Sequence, residues 1–198
     1  ITGGINSLLN LIDTDFNTTS LITLELSGNQ LSGEIPSGLS GLSNLNLSNN
    51  SFTGSLPEDI FQVYHTVNLA NNQLSGELTE EMFNHLNCID AQSCVDCSEI
   101  DVIYINGNQL SGELPSNLCQ LRCVTELHIY DNQFCAPYPS CDNGIYWGYE
   151  TFTTEDVQDT SNCPCLDGEI ELWGECYGIE ETTVLDLDDS GLTGEIPS

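Results

Sequence analysis

The sequence predicts a repeat solenoid of α/β type. Short strands from successive coils stack into a parallel β-sheet on one face, and mostly irregular or short-helical segments return on the other. Three observations predict it. A leucine pattern recurs along the chain, an asparagine recurs at a fixed phase within it, and a stretch rich in Cys and Pro breaks the recurrence.

The leucine pattern is clearest in LITLELSGNQLSGEIPSGL from Leu21 and LSNLNLSNNSFTGSLPEDI from Leu42, which align without gaps as LxxLxLxxNxLxGxIPxxL. It returns as YHTVNLANNQLSGEL from Tyr64, IDVIYINGNQLSGELP from Ile100, VTELHIYDNQF from Val124 and TTVLDLDDSGLTGEIP from Thr182. Alternating apolar residues in LxL make a short strand with its apolar side chains turned into the coil. Gly in LxG permits the backbone to turn, and Pro after Ile starts the return segment. One coil cannot bury its own faces, whereas stacked coils can, and stacking joins their strands.

The asparagines Asn29, Asn50, Asn72, Asn108 and Asn132 stand at the bend after each strand, with Ser190 at the same phase in the last copy. A buried amide or carbonyl without a partner is costly, and a carboxamide both donates and accepts, so Asn suits the satisfaction of neighbouring turns. A degenerate copy, LNCIDAQSC from Leu86, places Cys94 in that position. On these motifs the chain resembles the leucine-rich repeat family in its plant-type LxGxIP variant, which also occurs in bacterial surface proteins. The resemblance covers residues 1–132 and 182–198. It implies a leucine-rich-repeat coil whose sheet forms the concave face.

The break falls after Asn132. NQFCAPYPSC starts as a repeat and runs into Cys135, Pro137, Pro139 and Cys141. A Pro-rich, Cys-closed segment of this kind is expected to cover the apolar face and strand edge of the last coil. LWGECYGIEETTVLDL from Leu172 resembles the opening of a plant-type array, where a Trp-Gly-x-Cys element precedes the first strand. The expected organisation is an array over 1–132, a Cys/Pro-rich cap and loop over 133–165, and over 166–198 an N-cap-like segment with the first coil of a following array.

ITGGINS from Ile1 and LTGEIPS from Leu192 share Thr, Gly, Ile and Ser at matching phase. Two readings stay open: units that continue one another, covalently or by association, and a boundary placed arbitrarily in a longer ectodomain. On the first, Ile1, Thr2, Ile5, Leu185, Leu187, Leu192 and Ile196 carry self-association end to end, making the chain its own partner. The chain starts without Met or a signal sequence, and is read as a mature or partial chain.

Composition excludes several function classes. Thirty-one acidic residues against one basic residue give a formal charge of −30. Nucleic acid and anionic membrane surfaces require clustered Lys and Arg, and Arg122 is the single one. No apolar run reaches the ~18 residues of a membrane span, so no membrane insertion is expected. Ten cysteines point to an oxidising, extracellular or cell-surface setting. Disulfides are favoured over thiolate metal sites for Cys94-Val-Asp-Cys97 and Cys163-Pro-Cys165, because a second CxxC is lacking. Cys135–Cys141 is expected to bridge the cap, and Cys176 to pair with Cys163 or Cys165. Cys88, Cys94, Cys97, Cys119 and Cys123 lie in adjacent coils with their pairing open.

The variable residue between the strand leucines projects from the sheet: Glu25, Asn46, Asn68, Asp90, Tyr104 and His128 in one column, with Asp186 in the restarted coil. The resemblance implies that such a face binds protein, peptide or glycan, and Tyr104 and His128 lie near Tyr130 at its end. A second column in the turn is acidic: Glu34, Glu77, Glu113 and Glu195, with Ser55 among them. Diffuse divalent-cation binding, calcium included, would relieve its repulsion, and no cofactor is required. Glycosylation sequons stand at Asn17, Asn46 and Asn49. His65, His85 and His128 are scattered without a nucleophile motif, so the chain is read as no enzyme. The expected function is a structural or adhesive surface component continuing end to end into an array or filament. The alternative is a recognition ectodomain that uses the concave column.

Overall fold

The computed structural model of the chain describes residues 2–3, 23–84, 102–120, 124, 126–139, 158–172 and 175–186. Each coil gives two strands. The NxLxG segments form β1 (Thr2–Gly3), β3 (Gln30–Gly33), β5 (Ser51–Gly54), β7 (Gln73–Glu77), β9 (Gln109–Glu113) and β11 (Gln133–Cys135). The LxL segments form β2 (Thr23–Glu25), β4 (Asn44–Asn46), β6 (Thr66–Asn68), β8 (Val102–Tyr104) and β10 (Glu126–His128). The first set makes a six-stranded parallel sheet in the order β1-β3-β5-β7-β9-β11, and the second a five-stranded parallel sheet in the order β10-β8-β6-β4-β2. A hairpin of β12 (Glu169–Leu172) and β13 (Glu175–Gly178) follows.

The expected sheet and short-helical returns are present, the latter as α1 (Glu80–Phe83) and a 3-10 turn over Ser116–Gln120. The second sheet is an addition. The sequence pattern QLSG and SFTG alternates polar and apolar residues, and Leu31, Phe52, Leu74, Leu110 and Phe134 turn into the core with at most 3% exposure. Reading LxG as a turn overlooked that alternation.

Between the sheets lies one continuous core. Leu24, Leu45, Val67 and Ile103 sit at equivalent strand positions and are buried to 7% exposure or less. Leu47, Leu69, Ile105 and Ile129 follow on the next inward position, and Phe61 stacks on Phe83 at 4.9 Å in the return layer.

Along the bend runs the asparagine ladder. Asn50 Nδ2 donates to the carbonyl of Leu26 in the coil before (2.9 Å) and to Leu47 in its own (3.0 Å), while Oδ1 accepts from Leu31 N–H (3.0 Å). Asn72 repeats the set with Leu47, Leu69 and Phe52, and Asn132 with Ile105, Ile129 and Leu110. Asn108 donates to Leu69 and accepts from Leu74 N–H, so among the described residues the ladder steps from Asn72 to Asn108.

β6 pairs directly with β8 in the register Asn68↔Tyr104, so these two residues are neighbours in the column. Cys94, expected in the ladder, and Asp90, expected in the strand column, lie outside the described residues.

Just before each ladder position the backbone is left-handed: Gly28 (φ 67°), Asn49 (55°), Asn71 (57°), Gly107 (67°) and Asp131 (52°). Gly, Asn and Asp are the residues that tolerate this region. At Gly107 contact adds to conformation, because a Cβ there would stand 2.4 Å from Asn71 Oδ1.

Cys135 bonds to Cys163 rather than to Cys141, correcting the expected cap bridge, and Cys165 bonds to Cys176 as one of the two expected options. Cys135 is buried at the end of β11, and the backbone of Asp159 reaches it from the neighbouring side by donating to Asn132 (2.8 Å). The longer bridge thus fixes the segment from Gln158 to Cys163 against the last coil. The pairing of Cys88, Cys94, Cys97, Cys119, Cys123 and Cys141 lies outside the described residues.

Candidate functional site

Register builds the outward column. The pairings Glu25↔Asn46, Asn46↔Asn68, Asn68↔Tyr104 and Tyr104↔His128 place five of the six expected residues side by side across the five-stranded sheet. Neighbouring strands in a sheet are about 4.8 Å apart. A second outward row runs beside it: Thr23, Asn44, Thr66, Val102 and Glu126. Sequence reasoning omitted this row, although side chains two residues apart on a strand share a face.

Chemistry differs between the two ends of the column. At the early strands the carboxamides serve their own backbone. Asn46 Oδ1 accepts from Ser48 N–H (3.1 Å) and Ser48 Oγ (2.8 Å), and Asn68 Oδ1 accepts from Ala70 N–H (3.1 Å). At the late strands the side chains interact with one another. The Tyr104 hydroxyl donates to Glu126 Oε2, and the same oxygen lies 3.8 Å from His128 Nε2. The ring of His128 stands between two tyrosines, with centroids 4.6 Å from Tyr104 at a 50° tilt and 5.8 Å from Tyr130 edge-on. The hydrogen bond to Glu126, with burial second, pushes Tyr104 up to about 12. Side-chain exposure of 30% for His128 and 48% for Glu126 leaves the cluster open to solvent.

This cluster is formed by two adjacent strands and by Tyr130, two residues beyond the second. Glu126 was absent from the sequence expectation, and its carboxylate is what links Tyr104 to His128.

Other expected sites are dispersed. In the turn column, Glu34 and Glu77 each pack over a glycine of the following coil: a Cβ on Gly54 would stand 2.9 Å from Glu34 Cγ, and one on Gly112 2.8 Å from Glu77 Cγ. Of the sequons, Asn49 is exposed and accepts from Asn71 Nδ2 (3.2 Å), Asn46 is half-buried, and Asn17 lies outside the described residues. Among the residues proposed for self-association, Thr2 pairs with Gln30 in β3, in the register that Ser32 uses toward Ser51 one coil later. Leu185 is 42% exposed. Ile1, Ile5, Leu187, Leu192 and Ile196 lie outside the described residues.

Among the described residues, the convergent group of potential metal donors is Cys165, Glu169 and Cys176. Its two sulfurs are joined in the disulfide, so they are not thiolate ligands. Two concavities flank the Cys-rich segment. One of about 230 Å³ is lined by Ala136, Tyr138, Thr160 and Leu166, among others, and one of about 410 Å³ by Glu80, Glu113, Pro115 and Tyr138, among others. Among the described residues no helix is long and apolar enough to cross a membrane.

The Leucine Rich Repeat family model matches residues 20–42, 41–63 and 99–121. Receptor-like protein 32 of Arabidopsis thaliana is 30% identical over 122 residues, 60% of this chain and 13% of that protein. This chain has the leucine-rich-repeat solenoid fold and is similar to the plant type of that family. Solved structures agree with the leucine-rich-repeat fold. The plant peptide hormone receptor RGFR1, in complex with RGF2, matches with a TM-score of 0.54 and 31% identity over 68% of this chain and 19% of that one. The ectodomain of the Arabidopsis receptor kinase HAESA, in complex with an IDA peptide hormone ligand, matches with a TM-score of 0.52 and 28% identity over 67% of this chain and 20% of that one. The leucine-rich-repeat chain described here thus spans about a fifth or less of the length of these relatives.

Proposed function

We propose that this chain is part of an extracellular, non-enzymatic recognition ectodomain that binds a peptide or protein partner on the outward face of its five-stranded sheet. The observation that carries the reading is the solvent-open cluster of Tyr104, Glu126 and His128 on adjacent strands with Tyr130 just beyond β10. Aromatic side chains offer large contact area at low entropic cost, and a polar tip to each gives direction. Similarity to RGFR1 and HAESA, both solved with peptide hormones, supports the same choice of ligand class. The two disulfides among the described residues support an oxidising setting.

The test is selection from a displayed random peptide library, followed by titration of the enriched peptides. Saturable binding that is lost in Tyr104→Ala and in His128→Ala, with unchanged melting temperature, is the expected result. Peptides that bind both variants as well as the native chain would reject the face as the site.

One observation favours a second reading, in which units stack end to end. Leu185 occupies the inward position of the restarted repeat and is 42% exposed, while its counterparts Leu24, Leu45, Val67 and Ile103 are 7% or less. An apolar residue exposed at a core phase offers a surface to another coil. Sedimentation velocity over a range of concentrations decides it: association that Leu185→Asp abolishes supports stacking, and a monomer at every concentration rejects it.

A further inference from the structure

We propose that the cluster on β8 and β10 takes a cationic side chain of the bound partner, arginine in preference to lysine. The inference rests on the recognition reading above and names the chemistry of its ligand. Glu126 is half exposed, and its Oε2 is held in place by the Tyr104 hydroxyl. No lysine or arginine lies among the described residues, and the chain's single one, Arg122, is outside them. The carboxylate therefore has no described permanent cation beside it, and the neighbour that could supply charge, His128, sits 3.8 Å away and is charged only when protonated.

The rings complete the fit. Tyr104, His128 and Tyr130 follow one another at 4.6 Å and 5.8 Å, which gives a row of π-surfaces next to the carboxylate. A planar guanidinium can stack on such a ring while its N–H fork meets a carboxylate, which the compact ammonium of lysine does less well. The formal charge of −30 adds a long-range field that draws cations toward the chain and gives a neutral sugar nothing. Glycan binding remains as an outcome of the test.

The probes are acetylated, amidated pentapeptides of four glycines with arginine, lysine, glutamate or citrulline at the centre, followed by two-dimensional amide NMR. Citrulline keeps the shape of arginine without its charge. The arginine peptide is expected to shift residues 102–104 and 126–130. It should bind at least about threefold more tightly than the citrulline peptide, with lysine between them. Glu126→Gln should remove the difference between arginine and citrulline, and added salt should weaken arginine alone. Equal binding of the arginine and citrulline peptides to the native chain overturns the cation inference without relying on any variant. If citrulline peptide or cellohexaose binds the cluster with arginine showing no advantage, recognition on this face survives and its charge chemistry does not. If neither these probes nor library-selected peptides touch the cluster, both readings fall.

Discussion

Gln158 stands beside Asn132 in the place of one more ladder asparagine. Its Nε2 donates to the Ile129 carbonyl at 3.0 Å and its Oε1 accepts from Phe134 N–H at 3.4 Å. Asn132 makes the same pair of bonds one coil earlier, to Ile105 and from Leu110 N–H. A longer side chain thus supplies the carboxamide from a segment that carries no leucine pattern, and a parallel bridge joins the two residues. The end of the ladder is closed by the same chemistry that builds it.

Replacing Gln158 with Ala removes the acceptor of Phe134 N–H, while the Ile129 carbonyl keeps its bond from Asn132. One partly buried donor is left unpaired, and stability should fall by about 1–2 kcal/mol. Urea unfolding of Gln158→Ala against the native chain measures it. An unchanged midpoint would mean that water replaces the side chain at no cost.

Within the ladder the loss should grow with burial. Asn108 is 9% exposed, donates to Leu69, Ile105 and Asn106, and accepts from Leu74 N–H. Asn50 makes an equivalent set in a half-buried position, where water can reach the orphaned groups. Asn108→Ala should cost about 3 kcal/mol and Asn50→Ala about 1–2 kcal/mol, since an unpaired buried group keeps its whole desolvation penalty. Equal losses in the same denaturation assay would contradict that ranking.

Repeat phase was legible in the sequence because it is carried by residue type at fixed offsets. Leu24, Leu45 and Ile103 are core residues in any copy, and Asn50, Asn72, Asn108 and Asn132 hold the bend in any copy. What phase cannot convey is which copies are neighbours. Asn108 bonds to Leu69, 39 residues earlier, a neighbour that repeat spacing alone does not name. Nor does phase identify partners far apart in the chain. Cys163 and Gln158 reach the last coil across 28 and 29 residues, and nothing local marks either. The column from Glu25 to His128 was readable for the same reason as the core, whereas Glu126 became part of the cluster through one tyrosine hydroxyl on the neighbouring strand.

Two glycines of the turn separate backbone strain from crowding. Gly33 (φ 94°) has nothing within 4 Å of an added Cβ, whereas Gly112 (φ 82°) would set one 2.8 Å from Glu77 Cγ. Gly33→Ala should cost about 1–2 kcal/mol for the left-handed backbone alone. Gly112→Ala should cost more, and the excess should vanish in the double variant with Glu77→Ala, as a double-mutant cycle reads directly. Equal costs for the two single variants would show that the Glu77 side chain steps aside freely.

Tyr104 provides the pH dependence. Its hydroxyl bond to Glu126, followed by burial, raises it from the ordinary 10.0 to about 12. Below pH 10 the phenol is protonated in both the folded and unfolded chain, and the stabilisation from this bond is fully present. Between about 10 and 12 the unfolded chain releases the proton while the folded chain retains it, so this contribution declines as pH rises. Tyrosinate absorbance of the native chain, less that of Tyr104→Phe, isolates this group from the other tyrosines of the seven. The difference curve should have its midpoint near 12, and Glu126→Gln should move it back toward 10, because a neutral amide neither repels phenolate nor holds the proton as strongly. A midpoint near 10 in the native chain would mean that Tyr104 and Glu126 are not bonded in solution, and that the carboxylate is not held where the cation site requires it.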